Sequence, residues 1–291
     1  MSAPSIDTIT TLVLKKRNPE QLQAAQAALG MAEGNTLAED LAIEGRTNFS
    51  DSHAAAKILK TAGFQADVSV SNSQNRRKSL LICDMDSTLI GEECIDELAD
   101  FAGVKARVSA ITERAMRGEI GFNGALRERV ALLRGLPLET LQTCFEERIH
   151  INPGARTLCA TMKAAGAKTL IVSGGFTFFS QRVAEATGFE DHQANILLND
   201  GKNLIGTVAD PILGREAKLD ALRANVGDPL DAVAVGDGAN DLAMVTAAGL
   251  GVAYYAKPAV AAAAQSAIRF TDLRTVLYFQ GFSEDEFIEV G

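Results

Sequence analysis

The chain lacks a basic excess. It carries 28 Lys and Arg against 37 Asp and Glu, a formal net charge of −9. That argues against broad binding to nucleic acid or anionic membranes, which need a basic surface. It says nothing against a small anion held in a local pocket. Cysteine is scarce as well: Cys83, Cys94, Cys144 and Cys159 form no CxxC pair. Scattered cysteines in a long chain read as reduced core residues, not as a disulfide framework. No apolar run reaches the ~18 residues of a spanning helix. The opening "MSAPSIDTITTLVLKK" places no basic segment ahead of an apolar one, so it is not a secretory signal. Together these absences predict a cytoplasmic protein with no membrane and no nucleic-acid partner.

The most local absence is the most informative. Between Ser79 and Val104 there is no Lys and no Arg, yet the stretch holds "DMDSTLIGEECIDE", residues 84–97. A solvated acidic helix face and a metal site are the two readings of so many carboxylates without a nearby cation.

The 291 residues suit two domains. Residues 1–78 alternate. "TITTLVL" reads as a strand, "PEQLQAAQAALG" as a helix, "TLAEDLAIEG" as one strand, "DSHAAAKILKTAGF" as a helix capped by Asp51 or Ser52, and "ADVSVS" as a strand. The sum is a β-α-β-α-β unit, followed by a linker in "SNSQNRRKS". From Ser79 on, short apolar runs end in turn residues: "SLLICDMD", "AKTLIVSGG", "DAVAVGDGANDL" and "GLGVAY". Such runs suit buried parallel strands, and helical segments separate them. The fold class is therefore α/β, with a doubly wound, mostly parallel sheet. Residues 92–152 read as an inserted helical cap. "NDG" at 199–201 signals a hairpin, and the Ala-rich "AVAAAAQSAI" reads as a helix.

Ligands of doubly wound sheets bind beyond the carboxyl ends of the strands. The polar residues there are Asp84 and Asp86, Ser173 and Gly174, and Asp237. "DMDSTLIGEE", "VSGG" and "GDGAND", in this order, resemble the haloacid-dehalogenase-type phosphatases, in the branch that acts on phosphoserine. The resemblance covers about residues 79–270. It implies a Rossmann-like core at 79–91 and 153–291 and a cap at 92–152.

The resemblance also implies roles. Asp84 is the nucleophile that forms an aspartyl-phosphate, and Asp86 the general acid–base. Lys218 neutralises charge on the reacting groups; the alternative is a surface lysine, with Arg215 one turn earlier. Asp84, the carbonyl of Asp86, and Asp237 hold Mg²⁺, and Asp241 orients its water. Ser173 and Gly174 bind the phosphate at a helix N-terminus. Asn240 contacts the substrate, although Asn240 and Asp241 suit helix capping nearly as well. Glu93 takes the substrate ammonium, and Phe122 and Arg129 cover the substrate, Arg129 gripping its carboxylate. The bland alternatives are cap core for Phe122 and a solvated helix arginine for Arg129. Met116 reads as a buried methionine, and Glu92, Asp96, Glu97 and Asp100 as helix-start or solvent-facing charges. His53, His150 and His192 have no assigned role.

The implied activity is Mg²⁺-dependent hydrolysis of phosphoserine. Two alternatives stay open. One is a phosphatase or phosphotransferase for another small metabolite such as phosphothreonine or phosphohomoserine. The other is a catalytically silent amino-acid-binding regulatory protein. Residues 1–78 resemble, by pattern, the small regulatory α/β modules of amino-acid enzymes (ACT-like). They are expected to serve dimerisation or effector binding.

Overall fold

The structure, a computed structural model, describes residues 8–290; the first seven residues of the small N-terminal unit lie outside them. The order opens with β1 (Thr8–Leu14), α1 (Pro19–Ala28), β2 (Gly34–Ala38), β3 (Ala42–Gly45), α2 (Ser52–Thr61) and β4 (Ala66–Asn72). Next come β5 (Leu80–Cys83) and four helices, α3 (Cys94–Phe101), α4 (Lys105–Met116), α5 (Phe122–Ala131) and α6 (Leu138–Arg148). Then follow α7 (Ala155–Ala164), β6 (Lys168–Phe176), α8 (Thr177–Thr187), β7 (Asp191–Asn195), β8 (Leu197–Asn199), β9 (Leu204–Val208) and α9 (Arg215–Asn225). The chain closes with β10 (Ala232–Gly236), α10 (Leu242–Ala247), β11 (Leu250–Tyr254), α11 (Pro258–Ala263), β12 (Ser266–Ile268) and α12 (Thr275–Phe279).

Two compact units result. One comprises Met1–Ile82, Pro153–Thr169 and Leu222–Gly291, the other Cys83–Asn152 and Leu170–Ala221.

In the first unit the strand order is β2-β3-β1-β4-β12-β11-β10-β5. The first four strands are antiparallel. With α1 and α2 they form a β-α-β-β-α-β module of ferredoxin-like order. Its core is aliphatic, with Leu12, Leu14, Leu22, Leu59 and Val68 buried together. Both helices start as their sequences dictate: Asn18 and Asp51 accept hydrogen bonds from Gln21 N and Ala54 N. β10, β11 and β12 are mutually parallel, and β12 meets β4 antiparallel at Ala267–Val68. The module's strands thus continue the sheet of the core.

Two expectations fail here. "TLAEDLAIEG" is two strands rather than one. The chain turns at Asp40, whose φ of 56° is left-handed, a conformation that Asp tolerates better than most residues. "AVAAAAQSAI" is helical only through Ala263, and Ser266–Ile268 is strand β12. There the Ser266 hydroxyl donates to Ser69 Oγ at 2.8 Å and lies 3.2 Å from Ser52 Oγ. That buried network outweighs the helix propensity of the alanines. The segment read as a linker is pinned. Arg76 pairs with Glu44 at 2.5 Å and donates to Thr11 Oγ1 at 3.0 Å. Arg77 lies over the Phe282 ring and bonds Glu286.

In the second unit β6 pairs β7 in parallel, with a register shift between Val172 and Phe176. Helices α3 to α6 are the inserted cap. The segments entering and leaving it are stapled by an isolated Ile90–Ile151 bridge and by Asn152 N donating to Leu89 O at 2.8 Å. β8 and β9 form the expected hairpin. Asp200 Oδ1 accepts from Lys202 N and Asn203 N across the turn. The hairpin holds the cap: Gly135 N donates to Leu204 O and Leu204 N to Leu136 O.

Among the described residues no helix is long and apolar enough to cross a membrane. The four cysteines are buried and stand in no disulfide, as the composition predicts.

Candidate active site

β5 is a run of four buried residues, "LLIC", and Asp84 follows it directly. Asp84 is 4 % exposed. Its Oδ1 accepts from Met85 N at 2.7 Å, and its Oδ2 lies 2.7 Å from Lys218 Nζ. Lys218 comes from α9 and is fully buried, whereas Arg215 is exposed. The cation missing from the acidic stretch is therefore Lys218, and the surface-lysine alternative is excluded. Removing either partner would leave the other as an uncompensated buried charge, which is strongly destabilising.

The backbone after Asp84 closes a tight turn. Thr88 N, Leu89 N and Ile90 N all donate to Met85 O, and Ser87 adopts a φ of 55°. The turn brings Asp86 under the start of α3, where its Oδ1 accepts from Cys94 N at 3.3 Å. Burial first, and then the Glu93 charge, push the Asp86 carboxyl up to about 7, against the opposing pull of Cys94 and Lys218. A carboxyl with that value holds and releases a proton near neutral pH, the property required of a general acid–base. Burial and the Asp86 charge likewise raise the Cys94 thiol, well above the ordinary range. It is an inert thiol.

Glu93 precedes α3 but makes no capping bond. Its Oε1 accepts from Ser87 Oγ at 2.8 Å. Burial raises the Glu93 carboxyl; the Ser87 hydroxyl, Arg129 and Lys218 oppose this, and Asp96 reinforces it. Arg129 lies on α5, one face with Phe122 across seven residues. Its Nε reaches only Ala125 O at 3.3 Å and its Nη1 Thr112 Oγ1 at 3.5 Å. Among the described residues it makes no ion pair within 4 Å. Burial lowers its pKa, and the charges of Asp96, Glu93 and Asp86 hold it up. Arg129 is thus a half-buried arginine with an uncommitted fork, not a solvated one.

Asp96 and Glu97 lie in the first turn of α3, the helix-start placement expected of them. Asp96 Oδ1 is nonetheless sealed from solvent without a hydrogen-bond partner. Glu97 and Asp100 lie 3.7 Å from Arg148, and Glu92 binds His150. Met116 departs from expectation, at 66 % exposed rather than buried.

Ser173 and Gly174 belong to β6, which runs on to Phe176; α8 begins only at Thr177. The two residues therefore lie before the helix rather than at its first turn. The Ser173 hydroxyl is buried and accepts from Gly175 N at 2.9 Å. A methyl on Gly175 would stand 2.7 Å from Asp86 Oδ2, and one on Gly174 3.2 Å from the Phe122 ring. The closer of the two approaches favours glycine at 175, whereas at 174 the exposed Phe122 ring would have to shift by a few tenths of an ångström. Phe122 is 36 % exposed, with its ring against Gly174 and Gly214.

Asn195, which sequence reasoning missed, ties this loop down. It is 2 % exposed, donates to Gly174 O at 2.9 Å and to Leu213 O at 3.1 Å, and accepts from Leu213 N at 2.7 Å. Its signal in sequence was only a polar residue ending a short strand.

In the first unit the second acidic turn follows β10, whose five residues are all buried. Asp241 is buried, and its Oδ2 accepts from Gly238 N at 2.9 Å. It stands before α10 without capping it, so the capping alternative fails for Asp241. Side chains on Gly236 or Gly238 would collide with Asp241 or Asn240. Asp237 is half-buried at the head of this turn. Asp237 and Asp241 of this turn offer carboxylate oxygens and no sulfur or imidazole. Hard donors of that kind fit a divalent cation such as Mg²⁺ or Mn²⁺.

Comparison with known proteins agrees with this chemistry. A family model described as haloacid dehalogenase-like hydrolase matches residues 81–246. A phosphoserine phosphatase of Polaromonas is 46 % identical over 198 residues, 65 % of this chain and 84 % of that protein. A probable phosphoserine phosphatase of Schizosaccharomyces pombe is 35 % identical over 285 residues, 94 % of this chain and 95 % of that one. Among solved structures, a hydrolase of the same family from Salmonella enterica matches with a TM-score of 0.84 at 27 % identity, covering 97 % of this chain and 100 % of that one. A substrate-bound phosphoserine phosphatase complex matches with a TM-score of 0.65 at 37 % identity, covering 69 % and 98 %.

Proposed function

We propose, since the chain belongs to the haloacid dehalogenase-like hydrolase family, that it hydrolyses O-phospho-L-serine to L-serine and phosphate. The observation that carries the chemistry is the buried contact of Lys218 Nζ with Asp84 Oδ2 at 2.7 Å, with Asp86 two residues on.

Asp84 attacks the phosphorus and the bond from phosphorus to the serine oxygen breaks. Asp86 gives its proton to that oxygen, and serine leaves. Water then attacks the aspartyl-phosphate, Asp86 takes its proton, and phosphate is released with Asp84 restored. The titration of Asp86 near neutrality suits both halves of the cycle. Lys218 keeps Asp84 ionised and offsets charge on the transferring group. The Ser173 hydroxyl and the Gly174 backbone bind phosphate oxygens, and Asn240 the neighbouring substrate atoms. Asp84, the carbonyl of Asp86, and Asp237 would hold Mg²⁺, with Asp241 beside it. When bound, that ion supplies positive charge to the phosphoryl oxygens.

Specificity comes from the cap. A carboxylate at Glu93 suits an ammonium, the uncommitted fork of Arg129 suits a carboxylate, and Phe122 covers the substrate between them. Together they select an α-amino acid phosphate. The N-terminal module we assign to dimerisation, its exposed edge strand β2 offering unpaired backbone groups.

The test is phosphate release from phosphoserine, phosphothreonine, phosphohomoserine and phosphoglycolate, with and without Mg²⁺, and with homoserine added as an acceptor. Phosphoserine should be turned over fastest, in a Mg²⁺-dependent way, with phosphate as the product. Faster turnover of another ester, or transfer to homoserine in place of release, overturns the reading.

A further inference from the structure

We propose that Ser87 is a positioning residue for substrate recognition: its hydroxyl, presented by a left-handed backbone, fixes the carboxylate of Glu93. The inference rests on the reading of Glu93 as acceptor for the substrate ammonium.

Four described non-glycine residues have positive φ: Asp40, Asn75, Ser87 and Tyr255. Asp and Asn are at home there, whereas Ser is not. Ser87 is kept in this conformation by its surroundings. Ser87 N donates to Glu92 O at 3.2 Å, and the next three N–H groups close on Met85 O. The consequence is geometric. The left-handed turn points Ser87 Oγ at Glu93 Oε1, 2.8 Å away. Among the described residues that hydroxyl is the one hydrogen-bond donor on the Glu93 carboxylate. One oxygen is therefore held and the other is left for a ligand.

A glutamate side chain otherwise has several rotamers, and ordering it costs entropy at the moment of binding. Glu93 cannot be ordered by α3, because it makes no capping bond there. Strained backbone at functional sites is held by what surrounds it, and here the strained residue delivers a bond to the residue that recognises substrate. The hydroxyl touches Glu93 and not the reacting phosphorus, so its effect belongs to binding of the amino group.

The test compares phosphoserine with 3-phosphooxypropanoate, which has the same phosphate and carboxylate but no amino group. Ser87→Gly keeps the backbone conformation accessible and removes the hydroxyl. It should raise KM for phosphoserine about tenfold, leave kcat within about twofold, and leave KM for the des-amino analogue unchanged. In a Glu93→Gln background Ser87→Gly should add nothing further. Ser87→Ala, the second variant, should show the same substrate split. Equal losses on both substrates, no change on phosphoserine, or a full loss persisting in the Glu93→Gln background each overturn the proposal. Failure of the underlying reading has a separate signature: Glu93→Gln alone then leaves the preference for phosphoserine over the analogue intact.

Discussion

The N-terminal module and the helical cap both bury charge, and they treat it in opposite ways. In the module's strand β4, Asp67 accepts four hydrogen bonds: from Arg269 N, Phe270 N and Thr271 N, and from Thr271 Oγ1. Arg76 and Glu44 meet at 2.5 Å. In the cap, the part-buried Arg129 reaches two distant oxygens and Asp96 Oδ1 has no partner, while Glu93, which is exposed, has a single donor. The module has exceptions in Ser71 Oγ and Arg76 Nε. The first is a neutral hydroxyl, and the second belongs to a guanidinium paired through its other nitrogens. Buried polar groups that are satisfied within the chain specify structure. On the function proposed above, those left open in the cap await a zwitterion.

The largest expected effect concerns a charge that is both paired and functional. Asp84→Asn removes the nucleophile and leaves Lys218 against a neutral amide. Phosphoserine turnover should fall on the order of 10⁴-fold or more, with the circular dichroism spectrum of a folded chain. Retained turnover would remove Asp84 from the nucleophile role.

Asp67 should behave oppositely. Asp67→Ala strands three backbone N–H groups and a hydroxyl, at a cost of about 3 kcal/mol. The urea midpoint should drop accordingly, while kcat/KM of the protein that remains folded stays near wild type. Asp67→Asn, which keeps one acceptor oxygen, should lose less. A loss of kcat/KM larger than the loss of stability would break the contrast between the two regions.

Arg129→Ala is the mirror experiment. It should lower kcat/KM for phosphoserine about 100-fold and leave p-nitrophenyl phosphate, which has no carboxylate, within about threefold. The urea midpoint should hold or rise, since an uncommitted buried charge is being removed. Equal losses on the two substrates would take Arg129 out of the carboxylate role.

What sequence could and could not show follows the same division. The placement of Asp84 and Asp237 directly after β5 and β10 is legible because each closes a continuous apolar run. The apolar runs that became β5, β6, β10 and β11 are legible because a strand buried on both faces must be continuous in apolar residues. The rest depends on distant partners. Strand β12 hides in an alanine-rich segment because Ser69 and Ser52, some 200 residues away, decide its conformation. The role of Asn195 depends on two carbonyls, those of Gly174 and Leu213. Asp96 resembles its surface neighbours Glu97 and Asp100 in type and spacing, and only packing separates it from them.

The smallest effect lies at the entrance to the cap, where Glu92 accepts from His150 N at 3.0 Å and meets His150 Nδ1 at 2.9 Å. The Glu92 contact raises the His150 pKa above its ordinary value. A group whose folded pKa is raised contributes stability that is fully present below its unfolded value, near 6.5. That stability is lost as pH rises through the folded value. His150 is fully exposed at its side chain, so solvent screens the interaction and the contribution is small. His150→Gln should therefore lower the thermal midpoint slightly below about pH 6, and the gap from wild type should close by about pH 8. A gap that widened with pH would mean that the neutral imidazole, not the imidazolium, is the form the hinge uses. The cap would then be stapled by hydrogen bonding alone, as the module is at Asp67, and the contrast between the two regions would be confined to the residues that face the substrate.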